Sequence, residues 1–277
     1  MRISVVLSTY DRPRDLALVL AGYALQDDPD FEIVVADDGS GPETAAAIAD
    51  TARSGPPIRH VWHPDRGFRK TESLDRATLH AKGDYLIFSD GDCIPRPDFV
   101  STHRRLVRPG RFLSGGYVRL PAALTPDDVR AGWVWKGAEL RRRGVAPRAA
   151  ALRFLLPGPL PALLDRITPT RTSWNGMNAS TWREAVLAVN GFDLELEYGG
   201  LDREFGQRLE NLGCRGVQVR HRAVLLHLHH DRPYRDAAVT ARQRALRDEL
   251  KASGRTRALR GIDELPDVST TPPREAT

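Results

Sequence analysis

Residues 85–92 read Tyr-Leu-Ile-Phe-Ser-Asp-Gly-Asp, a short apolar run that ends in two acids separated by one glycine. The run has the length and composition of a buried strand, and the turn formers Gly83 and Asp84 precede it. Asp90 and Asp92 therefore follow the carboxyl end of this strand, where open α/β sheets place their ligands. Two carboxylates spaced in this way can be directed at one hard cation and at a ligand beside it.

Strand and helix patterns alternate through the first 120 residues. The predicted strands are residues 3–8, 31–36, 58–63 and the run from residue 85. Helical patterns separate these strands, and Asp11 is expected to cap the first helix. Ser40 and Glu43 have the spacing of a capping box for the second helix. This order predicts an α/β fold with a mostly parallel central sheet and right-handed crossovers.

The regular pattern stops near residue 120 and returns near residue 174. Residues 121–172 are rich in proline and arginine, which indicates irregular or short helical structure. The later predicted elements are an ordered stretch at 174–180, helices at 182–189, 202–212 and 235–251, and a strand at 223–228. Residues from about 253 onward have no apolar periodicity and are expected to form a loose tail.

The composition describes a soluble globular protein, with 41% hydrophobic residues and a net charge of +5. The basic residues are not interleaved with a recognition motif, so nucleic-acid binding is not expected. No segment approaches the roughly 18 consecutive apolar residues of a membrane span, and no secretory leader is visible. Two cysteines without paired spacing favour a reducing, cytoplasmic compartment. The basic stretch 141–164 could contact an acidic acceptor or the anionic inner face of a membrane, but a solvated loop is the favoured interpretation.

The first two predicted strands also end in small polar and acidic residues. The dinucleotide-binding glycine pattern and the Gly-Lys-Ser/Thr phosphate loop are both absent from the sequence. A carboxylate such as that of Asp38 can accept the N3–H of a uracil or thymine, and Tyr10 can stack on a base. The alternative interpretation is that these acids only cap helices or form turns.

A convergent acidic site repels a diphosphate unless a cation lies between them. Such a site is expected here, because Asp38 follows the second strand as Asp90 follows the fourth. Arg69 and Lys70 open the helix that precedes the fourth strand, and their cations and N–H groups can hold phosphate oxygens.

Four motifs occur in the order found in one enzyme family. They are Ser-Thr-Tyr-Asp at 8–11, Val-Ala-Asp-Asp-Gly-Ser at 35–40, Phe-Ser-Asp-Gly-Asp-Cys-Ile-Pro at 88–95, and Trp-Asn-Gly-Met-Asn-Ala-Ser through Tyr-Gly-Gly-Leu-Asp-Arg-Glu-Phe at 174–205. Together they resemble the inverting family 2 glycosyltransferases, in the galactosyltransferase and chondroitin-polymerase-like branch. The resemblance implies the GT-A fold in a single domain. Its parts would be a nucleotide-sugar-binding half at 1–120, an acceptor half at 121–230, a terminal helix at 231–252 and the tail at 253–277.

The resemblance also implies roles for the residues that match the family motifs. Ser8 and Asp38 would contact the uracil of a UDP-sugar, with Tyr10 nearby; a dTDP-sugar is the alternative donor. Asp90 would face the ribose and the metal, and Asp92 would bind the metal directly.

The same resemblance identifies Asp202 as the catalytic base. Asp202 stands near the start of a predicted helix, after glycines that let the backbone approach a sugar closely. Two positions depart from the family pattern: Leu201 replaces a common glutamate, and Asp75 replaces a common asparagine. The first departure concerns hydrogen bonding to the acceptor, and the second concerns contacts of its helix with the donor.

A histidine from the segment 226–230 is expected as a further metal ligand. Alternation on a strand places His227 and His229 on one face. His227 aligns best with the metal histidine of a relative, and His229 and His230 are the alternatives. Mixed Asp and His ligation favours Mn²⁺, with Mg²⁺ as the other candidate.

The candidate contacts for a sugar acceptor are Trp174, Asn175, Asn178 and Gly200. Sugars stack on aromatic faces and form hydrogen bonds with amides. The alternative is that these side chains belong to the core or to a turn.

The resulting hypothesis is a metal-dependent inverting transferase. It would move a hexosyl or N-acetylhexosaminyl group from a UDP-sugar to a hydroxyl of a glycan, a polysaccharide or a glycosylated natural product. A non-catalytic sugar-nucleotide or glycan-binding module on the same fold is the alternative, slightly supported by Leu201. A phosphohydrolase is disfavoured because the segment 11–13 lacks the Asp-x-Asp pattern of its nucleophile.

Overall fold

The computed structural model describes residues 1–53, 55–120, 124–144, 156, 158–196, 200–228 and 237–265. The first elements are β1 (Ile3–Thr9), α1 (Pro13–Tyr23), β2 (Phe31–Asp37), α2 (Pro42–Ala52), β3 (Ile58–Trp62), α3 (Lys70–His80), β4 (Tyr85–Asp90), β5 (Cys93–Pro95), α4 (Phe99–Leu106), β6 (Arg111–Ser114) and β7 (Gly116–Arg119). The later elements are α5 (Pro126–Arg130), α6 (Gly137–Arg142), α7 (Leu160–Ile167), β8 (Asn178–Trp182), α8 (Arg183–Ala188), α9 (Leu201–Asn211), β9 (Arg215–Gln218), β10 (Val224–His227) and α10 (Ala237–Ser253).

The predicted α/β fold with a mostly parallel sheet is confirmed. Seven strands form the central sheet in the order β3-β2-β1-β4-β8-β6-β9. The first four of these run parallel to one another, and β8 runs antiparallel between β4 and β6. Because β1, β2 and β4 are parallel neighbours, the residues that follow them meet at one edge of the sheet.

A smaller sheet, in the order β5-β10-β7, was not predicted from the sequence. Strand β10 lies within the strand predicted at 223–228, but β5 and β7 are only three and four residues long, too short to show an apolar period. Strand β10 pairs antiparallel with β5, and the register sets His227 opposite Cys93. This pairing brings the end of β10 to the acids that follow β4.

The central strands contribute alternate side chains to two apolar cores, one on each face of the sheet. Val5 and Ile87 pack in one core, and Val6 and Phe88 pack in the other. The ring centroids of Phe88 and Trp174 lie 5.4 Å apart in an edge-to-face arrangement, which adds to the stabilisation from burial alone. Because both faces are covered, the polar edge of the sheet is held on a rigid base.

The two predicted helix caps are wrong. The first helix follows Arg12 and the second follows Gly41, and neither helix has a side-chain cap. Both helices begin with proline, which lacks the N–H group at the first helical position. Asp11 and Ser40 instead join the two loops: the Asp11 amide donates to Ser40 Oγ at 2.9 Å, and the Gly41 amide donates to Asp11 Oδ1 at 2.9 Å.

The expectation of a loose tail from residue 253 is wrong for residues 254–265. The Ala258 amide donates to the Val189 carbonyl at 3.0 Å, and the Ile262 amide donates to the Asn190 carbonyl at 3.2 Å. This segment is anchored by backbone hydrogen bonds, which leave no apolar period in the sequence. Residues 266–277 lie outside the described part of the chain. Among the described helices, none is long and apolar enough to cross a membrane.

Candidate functional site

The carboxyl ends of β1 and β4 are joined through the carboxylate of Asp90. Ser8 Oγ and Lys70 Nζ each donate to Asp90 Oδ1 at 2.7 Å. The Gly91 amide donates to the Ser8 carbonyl at 2.7 Å, and a Cβ on Gly91 would lie only 3.0 Å from that oxygen. Glycine therefore allows the chain to turn closely against β1 and place Asp92 beyond Asp90.

Asp92 meets Cys93 and His227 where the small sheet reaches this edge. One candidate ligand atom from each of the three side chains lies within 4.8 Å of the other two. Cys93 Sγ donates to Asp92 Oδ1 at 3.3 Å. Burial, followed by the charges of Asp92 and Asp90, holds the pKa of the Cys93 thiol well above its usual value. Cys93 is thus a neutral donor to Asp92 in this arrangement.

The orientation of His227 suits a metal ligand. Its Nδ1 lies 2.6 Å from the carbonyl oxygen of Leu228, which can only accept, so Nδ1 carries the proton. The lone pair of the neutral ring is then on Nε2, and a backbone carbonyl on the other nitrogen is the usual support of a metal-binding histidine. With the Asp92 carboxylate, this donor set fits Mn²⁺. His229 and His230 lie outside the described residues.

Lys70 connects the metal side of the site with Asp202. Burial disfavours the charged form of Lys70. The carboxylates of Asp90 and Asp202 outweigh burial and hold the pKa of the ammonium above its usual value, with a smaller contribution from Asp92. Lys70 is therefore a fixed positive charge among three carboxylates.

Asp202 has the properties of a general base. Burial raises the pKa of Asp202 to about 6; Lys70 opposes that rise, and Asp90 adds to it. A carboxylate with this pKa is ionised at neutral pH and is still a stronger base than an exposed aspartate.

Two glycines define the position of Asp202. Gly200 is the residue before α9, so Asp202 lies in the first turn of that helix. A Cβ on Gly176 would come within 2.3 Å of Asp202 Oδ1, and the backbone N–H of Gly176 lowers the pKa of the carboxyl. Gly176 belongs to one of the motifs found in the sequence. Its contact with Asp202 was not predicted, because the two residues are far apart along the chain and nothing in the sequence shows that they meet.

The acids that follow β2 have different surroundings. Asp37 accepts a hydrogen bond from the Ser40 amide at 2.8 Å and lies 2.7 Å from His60 Nε2, so it supports the turn. Asp38 Oδ2 accepts from the Arg69 amide at 3.0 Å. Burial raises the pKa of Asp38 to about 7. His63 Nε2 is 3.3 Å from Asp38 Oδ1, but the orientation of the two groups does not satisfy a hydrogen bond.

The remaining predicted donor contacts lie at the rim of this edge. Tyr10 is 49% exposed, which leaves its ring face accessible, and its hydroxyl donates to Asp65 Oδ2 at 3.2 Å. The Arg69 guanidinium is paired with Glu72 at 3.1 Å, so it is Lys70, rather than Arg69, that meets Asp90.

The predicted acceptor residues divide into two groups. A cavity of about 690 Å³ is lined by Asp202, Asn175 and Trp174, although Trp174 is only 2% exposed and belongs mainly to the core. Asn178 is fully buried, and its Nδ2 donates to the carbonyls of Gly116 at 2.8 Å and Ala223 at 3.1 Å. Asn178 therefore joins the two sheets and does not line this cavity.

The two departures from the family pattern are core positions. Leu201 is 7% exposed and packs with the second apolar core, so it gives no support to a non-catalytic module. Asp75 is fully buried and accepts a hydrogen bond from the Phe192 amide at 2.8 Å. Burial holds the pKa of Asp75 well above its usual value. Its helix turns this side chain to the interior, away from Lys70.

The fold and this edge of acids define a GT-A-type nucleotide-sugar transferase fold, and comparisons with known proteins agree. Residues 4–111 match the family model "Glycosyl transferase family 2". Over 237 residues, 76% of this chain, the sequence is 32% identical to chondroitin synthase from Escherichia coli. The matched region, residues 4–111, belongs to glycosyl transferase family 2, as the motifs indicated. It spans only 32% of the chondroitin synthase.

Solved structures show the same fold at low sequence identity. The mannosyltransferase PcManGT from Pyrobaculum calidifontis, in complex with GDP-Man and Mn²⁺, superposes with a TM-score of 0.54 at 20% identity, covering 88% of this chain and 61% of that one. TarS 1–349 from S. aureus, in complex with UDP-GlcNAc, gives a TM-score of 0.59 at 16% identity, covering 84% of this chain and 60% of that one. At these identities the likeness concerns the fold alone.

Asp92→Ala and His227→Ala are each expected to weaken Mn²⁺ binding by at least about tenfold in the presence of UDP, since each removes one ligand. Electron paramagnetic resonance of free Mn²⁺ measures this directly. Asp30→Ala, at a side chain that is 74% exposed, is the control for loss of one negative charge.

Cys93→Ser distinguishes a ligand from a supporting donor. A serine hydroxyl can still donate to Asp92, so Mn²⁺ affinity is expected to stay within about threefold of the wild type. A loss in Cys93→Ser as large as that in Asp92→Ala, or unchanged affinity in Asp92→Ala, contradicts the assignment.

Proposed function

We propose that this chain is a metal-dependent inverting glycosyltransferase that moves a sugar from a UDP-sugar to an acceptor hydroxyl. The observation that carries the proposal is the position of Asp202. It lines the cavity beside the site and is coupled through Lys70 to the carboxylates of Asp90 and Asp92. A base is thus separated from a candidate diphosphate site by one fixed positive charge.

The nucleotide half of the proposal rests on the edge formed by β1, β2 and β4. Asp38 is held there by the Arg69 amide, and the exposed ring of Tyr10 is beside it. Ser8 orients Asp90, which leaves the second carboxylate oxygen of Asp90 for the ribose or the metal. Because the pKa of Asp38 is raised to about 7, this group gains or loses its proton near neutrality. A hydrogen bond from the N3–H of uracil would favour the ionised form.

The chemical step needs a base on one side of the anomeric carbon and positive charge on the other. Asp202 takes the proton from the acceptor hydroxyl. At the same time the hydroxyl oxygen attacks the anomeric carbon from the face opposite the diphosphate. Lys70 stabilises the negative charge that develops on the leaving diphosphate. Asp92 and His227 would hold a divalent ion, which would supply further charge neutralisation as a Lewis acid. One displacement of this geometry inverts the anomeric configuration.

The first test of this proposal identifies the donor and then removes the base. Nucleotide release is measured from a panel of UDP-, dTDP- and GDP-sugars with and without Mn²⁺. With the best donor, Asp202→Asn is expected to reduce turnover by at least about a hundredfold, because the amide cannot accept the proton. Binding of UDP and Mn²⁺ is expected to be unchanged. Near-normal turnover of Asp202→Asn contradicts the proposal.

The stability of Asp202→Asn provides the control for folding. Burial raises the pKa of Asp202 above its unfolded value, so ionised Asp202 costs stability as pH rises from about 4 through about 6. The free energy of unfolding of Asp202→Asn at neutral pH is therefore expected to equal or exceed that of the wild type. A loss of activity with this result cannot be due to misfolding.

The pH profile tests the identity of the base. Since Asp202 acts when deprotonated and its pKa is raised to about 6, kcat/KM for the acceptor should fall as pH drops through that value. The measurement is made at saturating donor. Asp38→Asn is the matched variant, because the pKa of Asp38 is also raised, to about 7. The acid limb should persist in Asp38→Asn; its disappearance there assigns it to Asp38 and contradicts the account.

A further inference from the structure

The cavity beside Asp202 is strongly cationic. Its charged lining consists, among the described residues, of Asp202, Arg119, Arg171, Arg203 and Arg220. Four arginines and a single carboxylate therefore line this cavity. The arginines come from four separate parts of the chain: the end of β7, the segment before Trp174, the first turn of α9, and the turn after β9. Because the four arginines come from separate segments, their convergence is not explained as a run of charged residues on one solvated face.

Two of the arginines are held in place by neutral groups. Arg220 Nη1 donates to Thr170 Oγ1 at 2.9 Å. The Arg119 guanidinium lies 5.6 Å from the centroid of the Tyr117 ring. These contacts orient the guanidinium groups without neutralising them, which leaves their charge for a ligand.

The other two arginines have little acidic compensation. Arg171 approaches Glu210 at 3.8 Å, and its side chain is 63% exposed. Within the described residues, no carboxylate lies within 4.0 Å of Arg119, Arg203 or Arg220. The cavity thus keeps a net positive charge beside the base.

The anion that fits this cavity is not the diphosphate of the donor. The described lining reaches Asp202 but does not include Lys70, Asp90 or Asp92. The arginine cavity and the candidate diphosphate site are therefore lined by different residues. A molecule in the cavity would present its hydroxyl to Asp202, as an acceptor does in the proposed reaction.

We propose that the acceptor carries an anionic group, a carboxylate or a phosphate, close to the hydroxyl that is glycosylated. This inference rests on the proposed function, because it assigns the arginine cavity to the acceptor of that reaction. Guanidinium forks pair with both kinds of anion, and Tyr117 offers an aromatic face for the sugar ring. Charge recognition at this cavity selects an acidic acceptor over a neutral one of the same shape.

The test compares glycosides that share one sugar ring and one aglycone and differ in the group at C6, which is anionic in two of them and neutral in the third. Binding of p-nitrophenyl β-D-glucuronide, p-nitrophenyl β-D-glucoside 6-phosphate and the neutral p-nitrophenyl β-D-glucoside is measured by calorimetry on the full chain with UDP and Mn²⁺. At least one anionic glycoside is expected to bind on the order of tenfold more tightly than the neutral one, a modest factor because the arginines are partly exposed. The stronger of the two anionic ligands shows whether the group is a carboxylate or a phosphate.

The variant Arg119→Gln/Arg220→Gln is expected to reduce this preference to less than about threefold. Arg53→Gln is the matched control, since Arg53 directly follows α2, has a side chain that is 77% exposed and does not line the cavity, and it should keep the full preference. Equal binding of anionic and neutral glycosides by the wild type contradicts the inference. A preference that survives in the double variant, or the binding of no glycoside, also contradicts it.

Failure of the proposed function has a different signature. If UDP and Mn²⁺ do not bind but the double variant abolishes a charge preference, the cavity is an anion site and the transferase assignment fails. If UDP and Mn²⁺ bind with the expected dependence on Asp92 and no charge preference exists, only the acceptor inference fails.

Discussion

The ion pair between Lys70 and Asp90 is the interaction on which the rest of the site depends. Three carboxylates, those of Asp90, Asp92 and Asp202, are close enough to act together on the Lys70 ammonium. Without this positive charge, burial and the charge of Asp90 would raise the pKa of Asp202 further. Lys70 Nζ lies 2.7 Å from Asp90 Oδ1 and opposes the rise in the pKa of Asp202 to about 6, so the Asp202 carboxylate is ionised at neutral pH.

The second part of the site is the candidate metal position beside Asp92. Asp92 and His227 are brought together by the pairing of β5 with β10, which belongs to the small sheet and not to the central one. The two candidate metal ligands are therefore brought together where the two sheets meet. Cys93 adds a neutral donor to Asp92, and the Leu228 carbonyl sets the His227 tautomer. Both contacts prepare the site before an ion or a nucleotide arrives.

Sequence patterns predicted the parts of this site that depend on parallel strands. The apolar runs before Asp38 and Asp90 were long enough to mark strand ends, and parallel strands necessarily bring such ends together. The family motifs added Asp92, Asp202 and His227, which the structure places around the same edge.

The features that the sequence did not predict depend on contacts between distant segments. The predicted caps at Asp11 and Ser40 do not form, because each side chain accepts a hydrogen bond from a backbone amide of the other loop. Asn178 was interpreted as an acceptor contact, yet its amide binds two backbone carbonyls in the interior. The arginine cavity draws on four places in the chain, and no local spacing indicates that they converge.

The most direct test of the account is a crystal structure of this chain with UDP and Mn²⁺, in which anomalous scattering at the manganese edge locates the ion. The account predicts one ion coordinated by Asp92 and His227 Nε2. The diphosphate is expected on the side of the ion away from these two ligands, near Lys70. An ion bound away from Asp92, or a diphosphate seated among the arginines beside Asp202, would contradict it.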